Sequence, residues 1–441
     1  MSLQPPEKVG KLQTALHAKA KAAPAYRFYL LYDKLYRWDV LVYAYQRCKA
    51  NRGAAGVDGQ TFQDIEAYGE QRWLEELAKE LQGKTYQAAP VKRVWIPKPD
   101  GKQRPLGIPT IRDRVVQMAA VLVLEPIFEA DLPSEQHAYR PGKSALDAIA
   151  AVQGLVDTGY TDVVDADLSG YFDSIPHAEL MKSVARRISD RHLLHLIKMW
   201  LEAPVAETDE HGREQRTTRN KDEGRGTPQG GVASPLLANL YMRRFILGWK
   251  QLGHEERLQA RIVNYADDFV ICSRGHAAAA MDAMRGMMSR LRLTVNEQKT
   301  RRCTLPADTF TFLGYTFGRH YSRQTGRSYV GPRPALKKVR KLCRAISELT
   351  DRRTCARATA DEVAKLNQML RGWANYFCLG PVRRVYDVVM RHACRRLRRW
   401  LCQKHKVRHG EYARFPNTLL HDKLGLVQLG AQGHRLLWAN A

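Results

Sequence analysis

Three features of this 441-residue sequence predict an α+β fold. Residues 1 to about 85 carry apolar clusters at helical spacing, including Arg27-Phe28-Tyr29-Leu30-Leu31-Tyr32 and the stretch from Trp73 to Leu81. From Val91 the pattern changes to short apolar runs of strand length, some ending in acids. After Arg333 helical spacing returns in a strongly basic setting. The expected division is a helical N-terminal extension (1–85), a strand-containing centre (86–330) and a basic helical end (331–441).

Each element has its own signal. Asn51-Arg52-Gly53-Ala54-Ala55-Gly56-Val57-Asp58-Gly59 is glycine-rich, but its spacing fits no phosphate-cradling loop, so a structural turn is expected. The runs 91–97 and 105–109 flank Lys98-Pro99-Asp100-Gly101-Lys102 and predict a hairpin. A helix is expected from Val115 to Phe128, and a buried strand over 161–168 with Asp165 and Asp167 at its far end. The runs 261–265 and 269–272 read as two strands joined by Ala266-Asp267-Asp268, an acidic hairpin. Leu336, Val339, Leu342, Cys343 and Ile346 begin the basic helical module.

The formal charge is +26, from 71 Lys/Arg against 45 Asp/Glu. From Arg333 onward 24 Lys/Arg stand against 7 Asp/Glu, so +17 of the excess lies in the last quarter of the chain. Such an excess points to a polyanionic partner. No apolar run approaches the roughly 20 residues of a spanning helix, and the N-terminus has no export-signal pattern. A cytoplasmic protein working on nucleic acid is therefore expected rather than one at a membrane. The eight cysteines include no Cys-x-x-Cys pair, and reduced thiols are expected. Cys402, His405 and His409, with Cys394, come nearest to a zinc set, but the surrounding cations oppose a divalent ion.

Paired acids at the ends of apolar strands repel one another and lose hydration, which calls for a compensating cation. Mg²⁺ takes carboxylate and phosphate oxygens, and two such ions can activate a 3′-hydroxyl and stabilise leaving pyrophosphate. Asp167 at one strand end, with Asp267 and Asp268 on the hairpin, would form such a site. An isolated Asp-Asp pair has a second reading, a solvated turn.

The surrounding blocks separate the two readings. Asp167-Leu168-Ser169-Gly170-Tyr171-Phe172-Asp173 is followed by Ile175-Pro176-His177, then by Gly226-Thr227-Pro228-Gln229-Gly230-Gly231, then by Tyr265-Ala266-Asp267-Asp268. Ile96-Pro97-Lys98 with Gly101-Lys102-Gln103-Arg104-Pro105, Arg140-Pro141-Gly142-Lys143-Ser144, Asn296-Glu297-Gln298-Lys299-Thr300 and Phe312-Leu313-Gly314-Tyr315 complete the series. In order and spacing these resemble reverse transcriptases, and more narrowly the bacterial group II intron-encoded reverse transcriptase/maturase family, over nearly the whole chain. The resemblance implies a right-hand polymerase, with fingers and palm around a small, mostly antiparallel sheet, then a helical thumb and maturase domain. It implies metal ligation and catalysis by Asp167, Asp267 and Asp268 with two Mg²⁺ ions, Mn²⁺ being a possible substitute. Lys98, Arg104, Phe172 and Gln229 match positions that bind the incoming dNTP, Phe172 as the wall that excludes a 2′-hydroxyl; a core phenylalanine is its other reading. Leu313, Gly314 and Tyr315 match the primer grip, and as bare sequence read equally as a strand and turn. Tyr139 stands where the family more often has phenylalanine, an exchange expected to have little consequence.

Leu366-Asn367-Gln368-Met369-Leu370-Arg371-Gly372-Trp373-Ala374-Asn375-Tyr376-Phe377 resembles the maturase-specific segment. The spacing of Trp373, Tyr376 and Phe377 suits a core, so RNA contact is expected instead from Arg371, Arg395, Arg396, Arg398 and Arg399. The resemblance implies an RNA-directed DNA polymerase acting in group II intron splicing and retromobility. Its expected partners are structured intron RNA, an RNA template with a DNA or RNA primer, dNTPs and target DNA. Many family members carry an endonuclease domain with paired Cys and His. The sequence to Ala441 has none, so a primer from elsewhere is expected. Two further readings are a host-repurposed reverse transcriptase (DNA repair, phage defence or diversity generation) and a catalytically silent RNA-binding splicing cofactor. Nothing in the sequence sets the oligomeric state.

Overall fold

The computed structural model describes residues 3–97, 101, 103–208, 213–322 and 325–430. Its backbone divides into two compact units. The first comprises Met1–Ser144, Ala166–Phe269 and Ala278–Thr300; the second comprises Ala145–Asp165, Val270–Ala277 and Arg301–Ala441.

In the first unit the N-terminal segment forms helices Glu7–Ala22, Tyr32–Leu35, Trp38–Ala50, Phe62–Tyr68 and Glu70–Gly83. Glu7–Ala22 and Trp38–Ala50 pack on the helix Ile111–Glu129. That helix is buried along nearly its whole length, with Val115, Val116, Ala119 and Val123 wholly inaccessible, as expected for a core helix. The Thr110 side chain caps its start by accepting from Asp113 N. The Asp113 carboxylate in turn accepts from the Thr110 and Tyr86 hydroxyls and from Ala89 N.

The cluster Arg27–Tyr32 is not helical, contrary to its spacing. Phe28 bridges to Ile188, Phe28 N donates to Arg187 O, and Ser189 N donates to Phe28 O. Asp190 accepts from Leu31 N and Tyr32 N, and the helix begins only there. Pairing with a distant segment overrides a local helical pattern.

Strand β1 (Val91–Pro97) and β2 (Gln103–Ile108) form the expected antiparallel hairpin, in register from Lys92↔Ile108 to Pro97↔Gln103. Residues 98–100 and 102 of its turn lie outside the described residues. After β3 (Asp162–Asp167) come β4 (Val205–Thr208) and β5 (Glu214–Thr217), which complete a sheet of order β2-β1-β4-β5 with β1 and β4 parallel. β6 (Ala260–Tyr265), β7 (Asp268–Ser273) and β8 (Arg301–Thr304) join β3 in the order β6-β7-β3-β8. The division between units falls within β3 and β7, after Asp165 and Phe269, so both acid-bearing strand ends belong to the first unit.

The second unit holds the antiparallel sheet β11-β10-β9, from β9 (Phe310–Phe312), β10 (Tyr315–Tyr321) and β11 (Ser328–Pro334). Helices Leu336–Leu349, Thr359–Tyr376 and Arg383–Lys404 follow around a core that includes Ile346, Leu366, Leu370, Val389, Leu397 and Trp400. The α+β class holds, with small sheets between helical ends. Among the described residues no helix is long and apolar enough to cross a membrane.

One buried cation ties the N-terminal helix to its unit. Arg187 is wholly inaccessible, donates to the carbonyls of Ala20, Ala23 and Pro24 at the end of Glu7–Ala22, and pairs with Asp131 at 3.2 Å. Helix C-termini leave carbonyls without partners, and a guanidinium fork satisfies several at once. Arg187→Ala would strand those carbonyls, while Asp131 keeps Arg186 at 2.5 Å, so about 3 kcal/mol of stability should be lost in a denaturant titration.

Candidate active site

The acidic turn is held by backbone geometry and one buried amide. Ala266 at its corner has φ 58°, in the left-handed region. Asn264, 1% exposed in β6, donates through Nδ2 to Ala266 O at 2.8 Å and to Asp268 O at 3.4 Å. The segment Glu135–His137 holds Asn264 from the other side: Asn264 N donates to Glu135 O, and His137 N donates to Asn264 O. Asp267 is half-buried and Asp268 exposed. Burial raises the Asp267 carboxyl above its ordinary value and Asp167 adds to the rise, while Arg104 and Lys299 oppose it. These four charged side chains therefore share one electrostatic basin.

Asp167, at the end of β3, is enclosed by the block 296–300. Asn296 Nδ2 and Lys299 Nζ each lie 3.0 Å from its Oδ2, and Asn296 N donates to its carbonyl. Asp165 instead pairs with Arg301 at 3.4 Å, and Asp173 accepts from Gln229 Nε2 at 3.1 Å. The oxygen-only donors Asp167, Asp267 and Asp268 fit a hard divalent cation in kind. Among the described residues no three His, Cys, Asp or Glu side chains are already gathered closely enough to hold one.

The loop 226–234 is tied down from several directions. Thr227 N donates to Phe172 O, buried His177 donates through Nε2 to Gly226 O, and the Gln117 Oε1 accepts from Val232 N and Ala233 N. Gln229 O accepts from Gly107 N of β2. Gly230, at φ 110°, lies where a Cβ would stand 2.4 Å from Gly107 O, so only glycine permits this approach. The half-buried Phe172 ring meets Tyr171 edge-on. Arg104 projects from β2 as an exposed residue, electrostatically coupled to Asp267 and Tyr139. Lys98 lies outside the described residues.

In the second unit, Leu313 (φ 49°) and Gly314 (φ 85°) form the turn between β9 and β10. Tyr376 Oη donates to Leu313 O, and Ala335 N donates to Gly314 O. Tyr315 corrects the sequence reading. Its side chain is wholly buried, donates to Tyr376 O at 2.5 Å and packs against Phe377, so it supports the turn from within and presents no surface to a primer.

The five candidate RNA-contact arginines also divide. Arg371, Arg395 and Arg399 are exposed. Arg396 donates to Thr350 Oγ1 and to the carbonyls of Ser347 and Thr350. Arg398, 3% exposed, donates to Phe415 O and Asn417 Oδ1. Both turn donors inward, Arg398 from a buried position and Arg396 from a half-buried one. Sequence reasoning missed Asn264, Gln117 and His177 as supports. Asn264 carried a signal, a polar residue within an apolar strand run.

Residues 96–317 match the reverse transcriptase (RNA-dependent DNA polymerase) family, and residues 339–415 match the group II intron maturase-specific domain. The chain belongs to the reverse transcriptases and carries a maturase-specific domain of the group II intron type. Protein YkfC of Escherichia coli is 33% identical over 358 residues, 71% of this chain and 90% of YkfC. The group II intron-encoded protein LtrA of Lactococcus lactis is 33% identical over 227 residues, 51% of this chain, which spans only 36% of LtrA. A putative COX1/OXI3 intron 1 protein of Saccharomyces cerevisiae is 27% identical over 327 residues.

A raised carboxyl pKa means the folded chain penalises the ionised form. That penalty is present above the folded pKa and vanishes as pH falls below the unfolded value. Asp267→Asn removes the charge and keeps the shape. With metal chelated, the variant should be more stable than the parent at pH 7, the gap closing as pH drops through the carboxylate range. Equal stability at pH 7 in denaturation curves would remove the penalty of burying this charge, and the repulsion added to it, from this account.

Proposed function

We propose that this protein polymerises DNA on an RNA template and, through its basic C-terminal helices, binds structured intron RNA and assists its splicing. The observation that carries the first part is that β3 and β7 are neighbours in one sheet, with Asp167 ending β3 and the Asp267–Asp268 turn opening β7. Two Mg²⁺ ions, or Mn²⁺ in their place, held by Asp167, Asp267 and Asp268 would supply activation of a primer 3′-hydroxyl and neutralise the leaving pyrophosphate. The chain's own residues do the positioning. Arg104 and Lys98 take the triphosphate of the incoming dNTP, and Gln229, fixed by Asp173, lines the pocket. Phe172 sets the sugar's limit by leaving no room for a 2′-hydroxyl. The Leu313–Gly314 backbone turn supports the primer end, with fingers and palm over 86–330 and thumb and maturase domain over 331–441.

The second part is supported by unpaired charge. Arg391, Arg395 and Arg399 are exposed on helix Arg383–Lys404, one turn apart or about 6 Å at the α-helical rise. Among the described residues none of them pairs with a carboxylate. Residues 339–415 of this chain match the group II intron maturase-specific domain, and target DNA would meet this protein after the intron RNA does.

Two measurements test these parts separately. Primer extension on an RNA template with Mg²⁺ should fall on the order of 10³-fold or more in Asp267→Asn. Activity within tenfold of the parent would overturn the assignment of the acids. Replacing Arg391, Arg395 and Arg399 together by alanine should weaken binding of a folded group II intron RNA and lower the slope of log affinity against log salt by about 2. Primer extension on a short unstructured template should remain. An unchanged slope would remove this face from the RNA contact.

A further inference from the structure

Tyr139 is 51% exposed, and its backbone sits at φ 54°. A bulky residue rarely adopts that left-handed conformation, and where it does, the surroundings must impose it. Here they do. Ala138 O accepts from the buried Asn239 Nδ2 at 2.7 Å, and His137 N donates to Asn264 O at 3.0 Å. Arg140 is clamped by the Glu129 carboxylate and by the carbonyls of Pro133 and Gln136. The residues on both sides of Tyr139 are therefore fixed, and the strain is held between them.

The anchor has a second role. Asn264 is the residue that braces the acidic turn through Ala266 O, so the segment carrying Tyr139 and the turn carrying Asp267 hang from one side chain. Burial does most to raise the Tyr139 hydroxyl above its ordinary value, and Asp267, Tyr265 and Asp268 add to the rise while Arg104 opposes it. An aromatic ring half open to solvent, on the segment that pairs with the residue bracing the acidic turn, gains little for folding. Its flat face suits a nucleobase, and aromatic stacking on a base depends little on which base it is.

We propose that Tyr139 forms a wall of the incoming-nucleotide pocket, its ring packing on the nucleoside of the dNTP whose phosphates Arg104 receives. The proposal rests on the polymerase reading above. It assigns a binding contact to the ring rather than to the hydroxyl, and makes the strained backbone the device that aims the ring.

The test uses the full chain in steady-state primer extension on poly(rA)/oligo(dT) with dTTP and on poly(rC)/oligo(dG) with dGTP. Tyr139→Ala should raise the KM for both dNTPs about tenfold with kcat changed much less, the scale of one lost base–aromatic stack. The Kd for template–primer should stay the same. Tyr139→Phe should remain within twofold of the parent. Tyr139→Gly, which relaxes the backbone, should melt no lower than the parent and share the raised KM, separating lost contact from lost folding. A KM within twofold of the parent in Tyr139→Ala would overturn the proposal. So would weakened template–primer binding at unchanged KM, or an equal loss in Tyr139→Phe. Absence of incorporation by the unaltered protein would overturn both this proposal and the reading it rests on, which distinguishes the two failures.

Discussion

The half-buried Asp267 carboxyl, with the Asp167 charge adding to the cost of its burial, is the constraint around which the acidic turn is built. Burial and the neighbouring negative charge both disfavour an ionised Asp267, and Arg104 and Lys299 offset only part of that. A turn carrying such a group would relax outward if its backbone were free. It is held by a left-handed corner at Ala266 and by the Asn264 amide beneath it. On the facing strand, Asn296 and Lys299 fix one oxygen of Asp167. The site is thus kept in a strained electrostatic state by hydrogen bonds that have nowhere else to go.

Buried amides recur as the holding device. Asn264 fixes the acidic turn, Asn239 fixes Ala138, and Gln117 fixes the loop at Val232 and Ala233. An apolar contact tolerates sliding, whereas a buried amide that loses its partner suffers the full cost of desolvation. Each amide therefore selects one backbone geometry. The close approach at Gly230 has a similar effect, since it locks Gln229 to the strand that carries Arg104. Movement of the β1–β2 hairpin near Gly107 cannot occur without moving the loop at Gln229.

The elements of this fold were largely legible in the sequence because their periodicities are strong. The hairpin 91–108, the acid-bearing strands, the central helix and the helix from Leu336 all stand where spacing puts them. The exception, Arg27–Tyr32, depends on a partner about 160 positions away, which no local window contains. At the site, an isolated Asp-Asp pair reads also as a solvated turn, but the acids and the loop residue Gln229 were visible because the ordered blocks around them resemble the reverse transcriptases. Their supports were not, because a structural amide and a solvated one look alike in sequence. Tyr315 shows the converse: its motif marked the position, but only the packing of Phe377 and the Tyr376 carbonyl shows that the ring faces inward.

The arginines of helix Arg383–Lys404 show how far helical phase alone can carry such a distinction. Val389, Ala393 and Leu397 are fully buried and fix the inward direction. At 100° per residue, positions two away from these point to the opposite side, while positions one away lie on the flanks. Arg391, Arg395 and Arg399 are each two away from a buried residue, and they are exposed. Arg396 and Arg398 are one away from Leu397, and both reach sideways into neighbouring backbone. A run of identical charges thus divides by phase into arginines that hold the fold and arginines that leave their charge outside it. Only the second kind presents a whole guanidinium to a phosphate backbone. The net charge of such a helix therefore overstates its capacity for RNA by the share spent inward.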